Sequence, residues 1–170
     1  KNIEIIDDVY TSSTQNVDGT IKSLSFESGL ELDVDLVIDC SGFKKLIIGD
    51  VFKTEWISYQ DNLPVNRAMP FFLDIKEENY INYTLAWAQK YGWMWQIPTQ
   101  ERIGAGYVYC DQFISPDQAQ EEIEKVLGHK IEPRRDIKFN SGRLERYWVK
   151  NCLAIGLSSG FLEPLEATSI

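Results

Sequence analysis

The sequence predicts a mixed α/β fold of α+β character, in which a parallel strand and an antiparallel sheet occupy different parts of the chain. The segment DLVIDC (35–40) is a nearly continuous apolar run ending at Ser41-Gly42, which is typical of a strand buried on both faces of a parallel sheet. Residues 64–112 contain four extended segments at short spacing, which predict an antiparallel sheet. Residues 115–128 carry the start and stop signals of a helix.

The chain before the parallel strand is predicted to form a meander of strands. Residues 3–6 (Ile-Glu-Ile-Ile) have the composition of a first strand. The dipeptides Asp18-Gly19 and Ser28-Gly29 are typical of hairpin turns between the strands that follow.

The four extended segments of the antiparallel sheet are VNRAMPFFLDI, YINYTLAWAQ, GWMWQIP and RIGAGYVYC. Successive side chains of a strand point to opposite faces, so Trp93, Trp95 and Ile97 share one face and Met94 and Gln96 the other. A buried sheet face explains two such indoles without any function, because aromatic residues are common in strands.

The helix is predicted from its own end signals. Ser115 can cap it, Pro116 takes the first helical position, Gln118 completes a capping box, and Gly128 ends it.

The remainder of the chain is predicted to hold a hairpin, a strand and a second helix. DIKFNSGRLERYWVKNCLAIG is expected to turn at Ser141-Gly142, and its second arm to run into an apolar strand. FLEPLEATSI is expected to begin a helix at Pro164.

Composition narrows the classes of partner. The 170 residues are 44% hydrophobic, which suits one or two folded pieces. A net charge of −9, from 17 basic and 26 acidic residues, argues against nucleic acid or an anionic membrane as partner. Without an apolar run near the ~20 residues that span a bilayer, or a signal-peptide pattern, the expected location is cytoplasmic.

The cysteines and the histidine indicate no metal site or catalytic triad. Cys40, Cys110 and Cys152 lack CxxC spacing and are expected to be buried free thiols. His129, the only histidine, is expected on the surface at a helix end.

The most chemical content lies in NCLAIGLSSGFLEPLEATSI. A buried strand there ends at Gly156, a turn of small residues follows, and ligands of open α/β sheets bind at such strand ends. A tight turn with a capping serine explains the same residues about as well. Glu163 and Glu166 lie in the first turn of the predicted helix, where carboxylates are favoured by the helix dipole without any catalytic role.

Four stretches together resemble the flavin-dependent halogenases, in particular the tryptophan halogenase family. WMWQIP fits the Trp-x-Trp-x-Ile-Pro motif of these enzymes, and GLSSGFLEPLEAT resembles the segment that carries their active-site glutamate and halide site. DLVIDCSGF and GAGYVYCDQFIS are also similar to the family, in the same order along the chain.

The resemblance implies an FAD-dependent hydroxylase-like fold: part of a dinucleotide-binding α/β domain beside an antiparallel substrate-side sheet, within a longer chain. It implies halogenation of an electron-rich aromatic substrate of the indole or tryptophan, phenol or pyrrole type. Reduced FAD (FADH2) would come from a separate flavin reductase and react with O2. A halide ion (chloride, bromide or iodide) would attack the resulting flavin hydroperoxide to give hypohalous acid, which reaches the substrate through a tunnel.

The same resemblance assigns roles near the carboxyl end of the sequence. Glu166 matches the catalytic glutamate, and Glu163 matches an earlier, structural one. Thr168 and Ser169 match the positions whose backbone N–H groups hold the halide. Ser169 replaces the usual glycine, and a side chain at that position alters the accessible backbone angles.

Further positions match cofactor contacts. Leu157 and Ile170 match residues that contact the flavin, and Ser41 and Gly42 match the turn near its adenosine half. Trp93 and Trp95 match a pair beside the flavin and tunnel. This pair is thought to keep organic substrates from the hydroperoxide and so to suppress hydroxylation.

The domain organisation implied is an FAD-binding part in 1–63, a substrate and tunnel part in 64–140, and a return to the FAD-binding part in 141–170. The family's Gly-x-Gly-x-x-Gly turn and tunnel lysine are expected before Lys1, since GAG at 104–106 is too short to replace the turn. The isolated segment is therefore expected to be inactive.

Two other functions stay open at this point. The first is an FAD-dependent aromatic monooxygenase of the same fold, and the second is a non-catalytic flavoprotein-like binding module. The oligomeric state is also open, a homo-oligomer included.

Overall fold

A computed structural model of the chain describes residues 3–76 and 81–163, which divide into two compact units. Of these residues, unit 1 contains 3–57 and 143–160, and unit 2 contains the rest. The predicted mixed α/β fold, built mostly of sheets with one α-helix in the described part, is confirmed.

The elements follow one another in this order: β1 (Tyr10–Gln15), β2 (Ile21–Phe26), β3 (Glu31–Asp33), β4 (Val37–Asp39), β5 (Trp56–Ser58), β6 (Arg67–Leu73), β7 (Leu85–Ala88), β8 (Gly92–Pro98), β9 (Ile103–Tyr109), α1 (Pro116–Leu127), β10 (Ile137–Lys138), β11 (Gly142–Leu144), β12 (Trp148–Val149), β13 (Cys152–Ala154) and β14 (Gly160–Phe161). Two 3-10 turns, Gly42–Lys44 and Gly156–Ser158, follow β4 and β13.

Unit 1 begins with the antiparallel meander β1-β2-β3, whose turns contain Gly19 and Gly29 as predicted. The strand predicted for residues 3–6 is wrong. Ile3 and Ile5 are almost fully exposed, and no strand of the described structure pairs with this segment. β-prone residues without a neighbouring strand gain neither ladder hydrogen bonds nor side-chain burial.

The predicted parallel strand is confirmed: β4 pairs in parallel with β13, and β13 pairs antiparallel with β12. The prediction that this strand is buried on both faces is wrong. Val37 and Asp39 are buried, whereas Ile38 is 52% exposed, so the described structure covers only one face.

The hairpin predicted at Ser141-Gly142 is also wrong. β10, the strand before this dipeptide, pairs with β6 instead of with β11. The hairpin of this region joins β12 to β13, where Val149 faces Cys152 and Lys150 has a left-handed backbone (φ +54°).

The core of unit 1 lies on the covered face of β4 and β13. Val37, Cys152 and Ala154 of these strands pack with Ile21 of β2 and with Leu144 of β11, together with Ile47 and Ile48. A third small sheet has the strand order β14-β11-β5.

Unit 2 is built on the predicted antiparallel sheet, in the order β10-β6-β9-β8-β7. One face carries Met69, Phe71, Met94 and Tyr107, which pack with buried residues of α1 such as Ile123. This face and the helix form the main core of the unit.

Helix α1 has the ends that its sequence predicts. The Ser115 hydroxyl accepts a hydrogen bond from the backbone N–H of Gln118, and the Gln118 side chain accepts one from the backbone N–H of Ser115. Gly128 ends the helix and donates its N–H to the Glu124 carbonyl at 2.9 Å.

The cysteines are free thiols, and two of the three are buried as expected, Cys110 and Cys152. Burial raises the pKa of Cys152 to about 12. Cys40 is exposed, contrary to expectation, because it follows Ile38 by two residues and so continues the uncovered face of β4. His129 is exposed beyond the end of the helix, as predicted.

No helix among residues 3–76 and 81–163 combines the length and the apolar character that crossing a membrane requires.

Replacing Ser115 by Ala removes the hydroxyl that caps α1, so we expect the free energy of unfolding to fall by about 0.5–2 kcal/mol. Urea titration followed by circular dichroism measures the change. Ser115→Thr keeps a hydroxyl at the same position and serves as the control. An alanine variant as stable as the threonine variant would contradict this role of the cap.

Candidate functional site

Two loops meet in unit 1 at the carboxyl ends of the parallel strands β4 and β13. The backbone N–H of Gly42, after β4, donates a 2.8 Å hydrogen bond to the Ser158 hydroxyl, after β13. Ser41 and Gly42 therefore lie beside the 3-10 turn that contains Leu157, although the bonded residues are 116 positions apart in sequence. This edge of a parallel sheet is where α/β proteins bind their ligands.

The carboxylate of Asp39, at the end of β4, holds these loops together. Its Oδ1 accepts hydrogen bonds from the Ser41 N–H at 2.9 Å and the Ser41 hydroxyl at 2.6 Å. Its Oδ2 accepts the backbone N–H groups of Ile47 at 3.0 Å and Ile48 at 2.9 Å. The Ser158 hydroxyl donates a longer bond of 3.4 Å to Oδ1.

These hydrogen bonds keep Asp39 ionised although it is only 3% exposed. Burial favours the neutral acid, but the bonds from the Ser41 side chain and from the backbone of Ile48, Ser41 and Ile47 outweigh it. The pKa of Asp39 is consequently lowered from its ordinary value.

Lys45 closes the turn that follows β4. Its ammonium nitrogen donates to the Phe43 carbonyl at 3.0 Å and lies 4.5 Å from the centroid of the Trp56 ring. Burial lowers the pKa of Lys45, with Asp50 and Asp39 opposing the shift. The two contacts of the Lys45 ammonium, with the Phe43 carbonyl and the Trp56 ring, hold the backbone turn that contains Gly42 and Phe43.

The surface of this edge fits a flat cofactor. Gly42 and Gly156 have left-handed backbones (φ +68° and +59°), and a Cβ on either would meet nothing within 4 Å. Leu157 and Phe43 are more than two-fifths exposed beside them. Open space over two backbone turns, flanked by apolar side chains, can accept part of FAD, the cofactor that the resemblance implies.

Trp93 and Trp95 lie in β8 of unit 2, on the sheet face opposite the main core. Their ring centroids are 6.1 Å apart and their planes are tilted by 59°. Both indoles are half-buried, whereas Met94, between them in sequence, is fully buried on the other face. The alternation predicted from the sequence is therefore confirmed.

A glycine of β9 provides the surface on which the Trp95 indole lies. In the antiparallel register Trp95 faces Gly106. A Cβ on Gly106 would lie 2.0 Å from Cη2 of the Trp95 ring, a distance that real contacts do not allow. Gly104, two residues earlier on the same face, has only the Ile97 carbonyl oxygen within 4 Å of such a Cβ, at 3.7 Å.

The remaining residues predicted for the site, Glu166, Thr168, Ser169 and Ile170, lie outside the described residues, as does the helix predicted from Pro164. Glu163 is the last described residue and is half-buried. Within residues 3–76 and 81–163, no group of three or more His, Cys, Asp or Glu side chains could hold a metal ion.

Three features were not predicted from the sequence. They are the role of Asp39, the hydrogen bond between Gly42 and Ser158, and the packing of the Trp95 ring over Gly106. An aspartate that ends an apolar strand and precedes Ser-Gly was a usable signal for the first of these. The other two depend on pairings between distant segments, which no local pattern reveals.

Comparison with known proteins places the chain in one protein family. The sequence model of the family described as tryptophan halogenase matches residues 1–170. Tryptophan 7-halogenase KtzQ from Kutzneria sp. (strain 744) is 37% identical, over 99% of this chain and 32% of that protein. Tryptophan 6-halogenase SttH from Streptomyces toxytricini is 40% identical, over 80% of this chain and 27% of that protein.

Solved structures agree with the sequence comparison. BrvH, a flavin-dependent halogenase from Brevundimonas sp. BAL3, matches with a TM-score of 0.88 at 39% identity, over 96% of this chain and 34% of that one. This chain thus spans about a third of the length of the relatives that it matches.

Replacing Asp39 by Asn turns one carboxylate oxygen into an amide nitrogen, which cannot accept a hydrogen bond. Bonds that hold the loops after β4 and β13 are then lost, so we expect the free energy of unfolding at pH 7 to fall by about 1–3 kcal/mol. Because the folded-state pKa is lowered, the stabilisation is present above the unfolded pKa of about 3.9 and is lost as pH falls through the folded-state value. The difference between the two proteins, measured by urea titration, should therefore shrink in acid. Asp35→Asn, at an exposed position, is the control; a pH-independent difference would refute the assignment.

Gly106→Ala should displace the Trp95 indole, because its Cβ would overlap the ring, whereas Gly104→Ala should leave it in place. Near-ultraviolet circular dichroism and tryptophan fluorescence measure the change. Both variants make the same chemical change in the same strand, so the cost of the glycine substitution itself cancels. Equal spectra for the two variants would contradict this account of how Trp95 is positioned.

Proposed function

Because the chain belongs to the tryptophan halogenase family, we propose that the enzyme containing it halogenates an electron-rich aromatic substrate of the indole or tryptophan, phenol or pyrrole type. The observation that carries this proposal is the match of the family model over residues 1–170. The curated relatives KtzQ and SttH bear names that state tryptophan halogenation, and BrvH is named as flavin-dependent.

FAD, supplied reduced by a separate flavin reductase, would provide activation of O2 and oxidation of a halide to hypohalous acid. The requirement for a reductase makes a cytoplasmic location part of the proposal. The protein around such a cofactor binds it, orients the substrate and excludes competing reactions. We propose that the residues of this chain contribute to these three tasks.

Ser41, Gly42 and Leu157 are proposed to contact FAD. What supports this is the carboxyl edge of β4 and β13, where Asp39 and Ser158 hold the two loops and leave space over Gly42 and Gly156. The rigid hydrogen bonding lets the loops present backbone groups without losing conformational freedom on binding.

Trp93 and Trp95 are proposed to form a wall that separates the organic substrate from the site where oxygen reacts. Two tilted indoles fixed on one sheet face present a large apolar surface that excludes water. Such a wall would direct the oxidant to halide and disfavour direct oxygenation of the substrate.

Glu166 is proposed as the catalytic residue, with Thr168 and Ser169 as backbone donors to the halide and Ile170 as a further flavin contact. Aromatic halogenation places positive charge on the ring, so a carboxylate directed at the ring or its N–H stabilises that charge and can accept the departing proton. Ser169, where the family usually has glycine, would influence which halide is accepted.

The division of labour along the chain is part of the same proposal. Residues 1–63 and 141–170 would contribute to the FAD-binding part, and residues 64–140 to the substrate and tunnel part. Unit 1 and unit 2 divide the described chain at 57/58, 142/143 and 160/161.

The test uses a full-length enzyme that carries this chain, supplied with FAD, a flavin reductase, NADH and O2. Chloride, bromide and iodide are added in turn to a panel of indoles, phenols and pyrroles. We expect halide-dependent mass shifts in the products by mass spectrometry. Glu166→Gln should lower their rate of formation by ~10²–10⁴-fold, the usual scale for a lost acid-base group.

Glu121→Gln, at an exposed position of α1, is the matched control and should retain the rate. Products that gain only oxygen and need no halide would instead support an FAD-dependent aromatic monooxygenase of the same fold. Unchanged halogenation by the Glu166 variant would reject the assigned role of that residue while leaving the activity intact.

A further inference from the structure

Two arginine side chains of unit 2 stack on a single exposed phenylalanine. The guanidinium carbon of Arg102 lies 3.7 Å from the ring centroid of Phe72, and that of Arg134 lies 4.8 Å from it. Phe72 belongs to β6, Arg102 directly precedes β9, and Arg134 lies in the loop after α1. Three separate segments thus bring two cations to one ring that is 40% exposed.

Neither guanidinium is neutralised by the part of the chain that the structure describes. No carboxylate there lies within 4.0 Å of Arg102 or Arg134, and neither side chain donates a hydrogen bond to a described residue. Arg67 of the same unit differs, because it pairs with Asp111 at 3.0 Å and with Asp136 at 2.6 Å. Among residues 3–76 and 81–163, the N–H donors of both stacked arginines thus have no carboxylate or hydrogen-bond partner, and they can bind a ligand.

The backbones that carry these arginines are fixed. The Arg134 N–H donates to the Pro70 carbonyl at 2.9 Å. The Arg102 carbonyl accepts bonds from both the N–H and the hydroxyl of Thr99, at 2.9 and 2.7 Å. A stacked guanidinium on a fixed backbone loses little conformational freedom when it binds a planar oxyanion.

A cavity of about 580 Å³ adjoins the stacked ring and provides room for the rest of a ligand. This volume is within the range of roughly 300–1,000 Å³ that small-molecule sites occupy. Phe72 and Arg134 line the cavity together with Lys130, Glu132 and the apolar side chain of Ile131.

The charged side chains that line the cavity determine which anions it can bind. The Lys130 ammonium is bound to Glu124 at 2.6 Å. The Glu132 carboxylate on the same lining repels a highly charged ligand such as a polyphosphate more strongly than a ligand with a single carboxylate, which can still pair with the arginines.

We propose that Arg102 and Arg134 form a binding site for the carboxylate of a small organic acid, whose apolar part lies against Phe72 and the adjoining cavity. The guanidinium groups donate hydrogen bonds to the carboxylate oxygens, and the ring holds both cations in place. This site does not depend on the proposed halogenation.

The test titrates the chain with benzoate and with benzamide, which has nearly the same shape but no charge. Nitrogen-15 NMR signals from the side-chain N–H groups of the arginines report binding. We expect saturable shifts of the Arg102 and Arg134 signals at about 1–10 mM benzoate, and binding of benzamide at least about tenfold weaker.

The variants Arg102→Gln and Arg134→Gln should each weaken benzoate binding about tenfold or more. Arg135→Gln removes an exposed neighbouring charge that does not stack on Phe72 and should leave binding unchanged. Arg102→Lys keeps the charge but loses the planar fork, so it should also weaken binding, and it covers the case in which a glutamine variant unfolds.

The proposal fails if benzoate and benzamide bind equally, or if neither shifts the signals of Arg102 and Arg134. It also fails if sodium chloride at equal ionic strength produces the same shifts, or if Arg135→Gln weakens binding as much as the other variants. Any of these results would leave the two arginines as a surface stacking arrangement.

Discussion

The buried carboxylate of Asp39 is the group on which the organisation of unit 1 depends. A buried charge is tolerated only when hydrogen bonds replace its lost hydration, and here two backbone segments and a serine side chain provide them. The same bonds fix the turn after β4 and, through Ser158, the turn after β13. The hydrogen bonds of Asp39 therefore contribute both to the stability of unit 1 and to the shape of the edge that is the candidate cofactor site.

In unit 2 the pairing register of the strands determines which side chains enter the core and which form the opposite surface. Pairing of β8 with β9 puts Met94 opposite Tyr107 in the core and Trp95 opposite Gly106 on the other face. The absence of a side chain at Gly106 is as important as the presence of the indole, because the ring occupies the space that a Cβ would need. One sheet thereby supplies both a packed core and an ordered aromatic surface.

The elements that sequence reasoning predicted well are those specified by local physics: the turns at Gly19 and Gly29, the alternation of β8 and the capping box of α1. The errors are tertiary. Ser141-Gly142 is a good turn dipeptide, but β10 gains its partner from β6, about 70 positions earlier in the chain. The bond from Gly42 to Ser158 is equally non-local, and the halogenase motifs were needed to associate the segments that contain these residues.

The exposed face of the sheet β12-β13-β4 carries a row of apolar residues. Trp148, Leu153 and Ile38 face one another across the three strands, with Trp148 61% and Ile38 52% exposed. A contiguous row of this kind attracts other apolar surfaces in water. Colloidal behaviour of this chain at high concentration, including self-association and adsorption to vessels, should therefore be governed by this face, and a charged residue in place of Trp148 is the natural choice for improving its solubility.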